Sequence, residues 1–293
     1  MKIIITGSLG NVSKPLATQL VNAGHQVTVI SQDINKTAAI KALGATAAIG
    51  SITDAAFLTT TFKGADAAYT MIPPIATSGN YYQDVAAIAD NYRQALAEAG
   101  VKHVVNLSAI GAEVPTGNGL SSAFYQVEET LNQLPDTHIT HLRAGMFYTN
   151  FYGNLAMILQ QHIVGNNFPG DIQLALVHPQ DIADAAAASL SGLTFTGKSF
   201  RYITSDEKTG NEIAQIFSTI VGQSIPWIAF PDEALQQGAM QNGFSAHMAS
   251  LFAAVGISIR EGRLFKGYAD HQTVTGKRKF ETFAAEMIPS LAV

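Results

Sequence analysis

Lys2-Ile3-Ile4-Ile5-Thr6-Gly7-Ser8-Leu9-Gly10-Asn11-Val12-Ser13 decides the fold of this chain. An apolar run ends in two glycines three apart. An amphipathic stretch follows as far as Gly24, and a second apolar run, Gln26-Val-Thr-Val-Ile30, comes after it. Strand, glycine turn, helix and strand in that order predict a β-α-β unit whose turn holds phosphate. Gly7 is expected to take the positive-φ turn. Gly10 has no Cβ to keep a pyrophosphate away. Ser8, Leu9, Asn11 and Val12 complete the turn, and the helix N-terminus behind them supplies backbone N–H groups and a positive dipole end. Ser13 is small enough to let the helix lie against the strand.

The rest of the chain fits a globular protein with a large core. It has 293 residues, 47% of them apolar and only 13% charged, with a net charge of −5. The absence of cysteine excludes disulfides, thiolate metal sites and cysteine nucleophiles. No basic cluster is present to suggest a nucleic-acid face. No apolar run reaches the roughly eighteen residues of a membrane span, and no leader pattern precedes the first strand. A soluble, cytoplasmic protein acting on a small molecule, without nucleic acid or membrane, is the expectation. A homodimer or a regulatory protein partner is left open.

Strand and helix signals alternate through the first half. Helices are expected over 35–43, 54–62, 81–99 and 121–133, and strands over 45–49, 66–70, 102–107 and 137–143. Met71-Ile-Pro73-Pro74 must stop the fourth strand, because two prolines cannot continue a ladder. Helical segments between strands imply right-handed crossovers and a doubly wound parallel sheet of Rossmann type. Residues 1–150 are expected to form that dinucleotide-binding domain, with 175–205 returning to its sheet. Residues 151–174, with a Gly/Asn-rich hairpin at 164–171, and 206–293 are expected to form a smaller α/β lobe. Ligands in such sheets bind beyond the carboxyl ends of the strands.

Several of the loops at that edge resemble the NmrA-like group of atypical short-chain dehydrogenases. The residues are Thr6-Gly7-x-x-Gly10, Gly64-Ala-Asp-Ala-Ala-Tyr69 with Pro73-Pro74, and Val105-Asn-Leu-Ser108-x-x-Gly111. Glu128-x-x-Leu131 and Leu142-Arg143-Ala-Gly145-x-Phe147-x-x-Asn150 follow the group's helix, strand and turn, with Ala144 in a proline position. Val177-His-Pro-Gln-Asp181-Ile-Ala183 is similar to the segment that opens its next helix. The resemblance runs to about residue 230. It implies an NAD(P)-binding protein among NAD(P)H:quinone oxidoreductases, dye reductases and non-catalytic dinucleotide sensors. Met71, Ile72, Pro73 and Leu107 then join the glycine turn in lining the cofactor.

The usual dehydrogenase chemistry is only half present. It needs a tyrosine, a lysine four residues on that favours the phenolate, and an upstream serine. Ser108 ends the fifth strand in the serine's place, and Tyr125 is the one tyrosine of the following helix. The position four on is Glu129, which cannot supply the positive charge, so the proton relay is broken. Phe124 stands where relatives carry a Lys or His. Quinone reduction tolerates this loss, because hydride addition yields an aromatic hydroquinone anion that water can protonate. Such a reaction needs a dry slot holding nicotinamide and acceptor face to face. Phe124, Tyr125, Phe147, Tyr148, Phe151 and Tyr152 are its candidate lining.

At the end of the second strand stand Ser31, Gln32 and Asp33, with Lys36 beyond. Ser31, Gln32 and Lys36 favour a 2′-phosphate, whereas Asp33 favours a free ribose diol. The resemblance tips the choice to NADP (NADPH) over NAD. His138 and His141, three apart on a strand, point to opposite faces and do not share a metal.

Overall fold

The computed structural model describes residues 1–271 and 276–288. The chain begins with β1 (Lys2–Ile5), α1 (Ser13–Asn22), β2 (Gln26–Ser31), a 3-10 turn and α2 (Thr37–Ala42), then β3 (Thr46–Ile49), α3 (Ala55–Phe62) and β4 (Ala67–Thr70). α4 (Tyr81–Ala99), β5 (His103–Ala109), α5 (Ala123–Asn132) and β6 (His138–Ala144) complete the alternation. After it come β7 (Met146–Phe147), β8 (Val164–Asn166), β9 (Gln173–Val177), α6 (Pro179–Gly192), β10 (Lys198–Ile203) and β11 (Asp206–Thr209). The last elements are α7 (Gly210–Val221), β12 (Trp227–Ala229), α8 (Asp232–Gln241), α9 (Ala246–Arg260), α10 (Lys266–Ala269) and α11 (Phe280–Met287).

Seven parallel strands form the main sheet in the order β3-β2-β1-β4-β5-β6-β10, a Rossmann fold with one strand added beyond β6. Alternation along the strands sends side chains to opposite layers. Ile3 and Ile5 pack under α1 and α6 in one core, while Ile4 packs with Val85, Ile88 and Val127 of α4 and α5 in another. Strand order reverses between β1 and β4, which opens a crevice at their carboxyl ends. The two loops there touch. The Met71 N–H donates to Thr6 Oγ1 at 2.9 Å, and a Cβ on Gly7 would meet the Met71 side chain at 2.9 Å.

A third core lies outside the main sheet. β11, β9 and β7 make a three-stranded sheet, and β12 pairs with β8. Phe151, Phe168, Phe217 and Phe280 fill the space between them. The hairpin expected at 164–171 does not form. Val164, Gly165 and Asn166 instead pair in parallel with Trp227, Ile228 and Ala229. The glycines serve close approach rather than a turn: a Cβ on Gly165 would run into the Ile228 carbonyl, and one on Gly170 would meet the Trp227 ring at 2.9 Å. The Trp227 indole closes the arrangement by donating to the Phe168 carbonyl.

α9 fixes two loops of the ligand edge at once. Ser245, its N-cap, donates to the Ser78 carbonyl in the loop after β4. Ser258, near its other end, donates to Asn118 Oδ1 in the loop after β5. Asn118 is fully buried and also donates to the Gly111 carbonyl at 2.9 Å, so that long loop is tied into one piece.

Candidate functional site

The glycine turn is held by its own hydrogen bonds. Gly7 and Ser8 both take left-handed φ values, +89° and +55°. Glycine adopts that conformation freely, while Ser8 is strained there and is held by two contacts. Its N–H donates to the Ile30 carbonyl at 3.1 Å, and its hydroxyl to Ser31 Oγ at 2.8 Å. The Gly10 N–H donates to the Gly7 carbonyl at 3.1 Å. Ser13 does not cap α1. It turns inward and donates to the Thr6 carbonyl at 2.8 Å, and a Cβ on Gly7 would strike that hydroxyl.

α1 therefore begins after Val12 without a side-chain cap. α2, α5, α8, α10 and α11 also lack one, while α3, α4, α6, α7 and α9 are capped by Asp54, Asn80, His178, Thr209 and Ser245. What sets α1 apart is the glycine turn before it. A helix N-terminus left bare at the end of a glycine turn suits an anion. Gly10 and Asn11 are exposed and Leu9 is half-buried there. Near Gly10 a Cβ would find only the Gly7 carbonyl, at 3.0 Å, so the approach from outside is open. These residues fit a diphosphate. Beside them runs an open groove of about 600 Å3, lined by Leu9, Gly10, Asn11, Lys14, Pro15, Thr18 and Gln19, with Gln180 of α6 opposite.

At the end of β2 the candidates divide. Ser31 is buried and its hydroxyl is engaged, accepting from Ser8 and from the Asp33 N–H and donating to the Asp33 carbonyl. It props the turn. Gln32 and Lys36 are exposed, and Gln32 donates to Ser51 Oγ. The Asp33 carboxylate accepts the Asn35 N–H and caps the 3-10 turn. Across the crevice, Met71 is half-buried, Ile72 is buried in the second core, and Pro73 is exposed. Leu107 packs in the first core.

Two polar tracks cross from β5 and β6 to α5. Asn106 lies beside His141 in the ladder, and Ser108 beside Arg143. The first track is neutral. Thr70 donates to Asn106 Oδ1 at 2.9 Å, Asn106 Nδ2 meets His141 Nδ1 at 3.1 Å, and His141 Nε2 meets Asn132 Oδ1 at 3.1 Å. An amide donor at Nδ1 and an amide oxygen at Nε2 fix the neutral imidazole with its proton on Nε2. Burial pushes His141 down to about 4.

The second track is charged. Arg143 holds Glu128 through Nε at 3.0 Å and Nη2 at 2.7 Å, and Ser108 donates to Glu128 Oε1 at 2.5 Å. All three are buried. Burial opposes the guanidinium charge, but its hydrogen bonds to Glu128 and that carboxylate's charge outweigh burial and push Arg143 above its ordinary value. The Phe200 ring covers the guanidinium at 3.9 Å. Ser108, expected to face substrate, therefore spends its proton on Glu128. Nothing in the sequence marked Glu128 as its partner, since the two are twenty residues apart.

Tyr125 and Phe124 are half-buried on the first turn of α5, and Phe124 leans on the second core. Glu129 is exposed. Phe147 is half-buried against the first core, and Tyr152 is 50% exposed beside Phe283. Tyr148 and Phe151 are interior instead. Tyr148 is fully enclosed, donates to the Arg278 carbonyl at 2.8 Å and packs edge-on to His178 and Phe280. Phe151 packs on Phe217 and Phe280. The six aromatics thus split into four near the surface and two in the third core. Gln180, absent from the sequence-based candidates, reaches the groove because α6 lies along α1. Only its place in the Val177–Ala183 segment hinted at this.

Among curated proteins, the chain is 24% identical over 292 residues to a (4-alkanoyl-5-oxo-2,5-dihydrofuran-3-yl)methyl phosphate reductase of Streptomyces griseus subsp. griseus, with 99% of each chain covered. Among solved structures, it superposes on the NADPH-dependent quinone oxidoreductase of Escherichia coli in complex with NADPH at a TM-score of 0.82, with 21% identity, covering 97% of this chain and 99% of that one. It matches the triphenylmethane reductase of Citrobacter sp. at a TM-score of 0.82, with 20% identity, covering 99% and 100%. The NmrA-like family model matches residues 1–262, and the chain belongs to that family.

Proposed function

We propose that the protein is an NAD(P)H-dependent reductase that passes hydride to a conjugated small-molecule acceptor, a quinone in the first place. The observation that carries this reading is the bare N-terminus of α1 behind a glycine turn that hydrogen-bonds to itself. When bound, a reduced nicotinamide supplies the hydride. Leu9, Asn11 and Val12 offer the diphosphate their backbone and the helix dipole. Gly10, its own N–H bound to Gly7, allows the close approach, and Ser8 and Ser31 keep the turn in shape. Met71, Ile72, Pro73 and Leu107 make the apolar floor of the crevice. Phe124, Tyr125, Phe147 and Tyr152 supply aromatic surface for a flat acceptor, and Tyr148 and Phe151 back it from the third core.

With Ser108 engaged by Glu128 and no lysine four after Tyr125, neither residue is set up for the usual proton relay. A quinone does not need it. The named activities of the relatives support conjugated acceptors: a quinone, a triphenylmethane dye and an unsaturated oxo-dihydrofuran. NADPH is favoured over NADH, because Gln32 and Lys36 are exposed at the end of β2 and the Asp33 carboxylate already serves as a cap.

The test is NADPH and NADH binding by calorimetry, followed by oxidation of the bound nucleotide against a panel of quinones. Saturable binding with turnover on at least one quinone is expected. Tight binding with no turnover on any acceptor would replace the reductase reading with a dinucleotide sensor. Gly10→Phe should weaken NADPH binding by more than 100-fold, about 3 kcal/mol, with the melting temperature little changed. Unaltered affinity in that variant would remove the glycine turn from the site.

A further inference from the structure

Two residues that line the groove beside the glycine turn, Gln19 and Gln180, are held by a carboxylate of α6. Asp184 Oδ1 accepts the side-chain amides of both Gln19, at 2.8 Å, and Gln180, at 3.0 Å. Those two amides line the groove from its α1 and α6 sides. The other Asp184 oxygen is held by Arg278 Nη1 at 2.8 Å, and the same nitrogen pairs with Asp181. Asp181 is buried and also accepts from Ser205 and from the Arg278 N–H.

Arg278 comes from a distant part of the chain. It sits on the segment that leads into α11. That segment is fastened to the third core by the Phe280 N–H on Asp206, by Lys279 on Asp206 and by the Tyr148 hydroxyl on the Arg278 carbonyl. One guanidinium thus offsets part of the charge of two carboxylates behind a groove that begins at the glycine turn. Through Asp184 it also holds two amides that line that groove. Without it, Asp184 and Asp181 would carry two uncompensated charges near an anionic ligand, and the carboxylate that anchors Gln19 and Gln180 would lose its own support.

We infer that Arg278 is a positioning residue for dinucleotide binding, acting through Asp184 on the groove walls Gln19 and Gln180. This deepens the proposed function and rests on it. The inference has two independent consequences. The first is electrostatic: loss of Arg278 should be repaired by removing the carboxylate it neutralises. The second is reciprocal: if Arg278 strengthens nucleotide binding, the nucleotide must strengthen the attachment of Arg278 by the same factor.

The experiment titrates the full-length protein with NADPH. Arg278→Gln is expected to raise Kd five- to tenfold at low salt, with a smaller rise at high salt, because the effect is one of charge. Adding Asp184→Asn to that variant should bring Kd back to within about threefold of wild type, a rescue that general loosening would not give. In the wild type, hydrogen exchange of amides in 276–288 should slow several-fold when NADPH is added, a readout that needs no variant to fold. An Arg278→Gln protein with unchanged Kd, a double variant no better than the single, or unaltered exchange in 276–288 would overturn the inference. Failure of the wild type itself to bind NADPH would instead overturn the proposed function.

Discussion

The two polar tracks between β5, β6 and α5 share one geometry and have opposite electrostatics. Each takes one residue from β5, its ladder neighbour on β6 and one residue from α5, and the two α5 residues, Glu128 and Asn132, stand one helical turn apart. The inner track is a run of neutral hydrogen bonds through an uncharged histidine to Asn132. The outer one, nearer the ligand edge, is a bidentate ion pair with a serine attached. A neutral track loses only hydrogen bonds when a member is removed. A charged one leaves a bare charge in the interior, which costs far more. The less forgiving of the two tracks thus lies just behind the ligand edge, where it holds the Ser108 hydroxyl on Glu128.

The largest effect should come from Glu128→Leu. It strands the Arg143 guanidinium and should lower the unfolding free energy by about 3–5 kcal/mol in urea titrations. Adding Arg143→Met should restore most of that loss. If Glu128→Leu alone costs under about 1 kcal/mol, then Glu113, 3.7 Å from Arg143, already carries the charge and the contrast between the tracks collapses.

The neutral track should show itself in pH dependence. His141 is held near 4 in the folded state against about 6.5 when unfolded, so the unfolded chain binds the extra proton between those values. Its contribution to stability is complete above about pH 6.5 and drains away as the pH falls toward 4, by up to about 3 kcal/mol. His141→Gln should flatten that part of the stability profile. An equally steep profile in the variant would assign the acid sensitivity elsewhere.

The smallest effect is expected at Ser108. Since the Glu128–Arg143 pair survives its loss, Ser108→Ala should cost about 1 kcal/mol of stability and change kcat by less than tenfold. A drop in kcat of a thousandfold would show that the hydroxyl leaves Glu128 for the substrate and would restore it to the catalytic machinery.

What could be read from the sequence follows the same division. The first six strands announce themselves by their alternation with helical stretches, and β1, β2, β4 and β5 also by apolar runs that their chain neighbours bury, whereas β3 is only part-buried at the edge. The glycine turn is equally plain, since Gly7 needs its positive φ for local reasons. β10 is less so: Phe200 and Arg201 are exposed on an edge strand, and while the return of 175–205 to the main sheet is legible, its place beside β6 shows only in the pairing. The 164–171 segment misled because its glycines answer to Ile228 and Trp227, some sixty residues away. In the site, Tyr125 and Phe124 could be located by spacing. The occupation of Ser108 by Glu128, and of Ser31 by Ser8, depended on how separate loops meet.

β10 has one further consequence. The chain leaves the main sheet after Ala144, lays down β7, β8 and β9, returns for α6 and β10, and departs again after Ile203. The third core is therefore assembled from stretches on both sides of a strand that belongs elsewhere. No single cut can release it as an independent body. Cleavage before β10 takes a strand from the main sheet, and cleavage after it separates β11 from its partner β9.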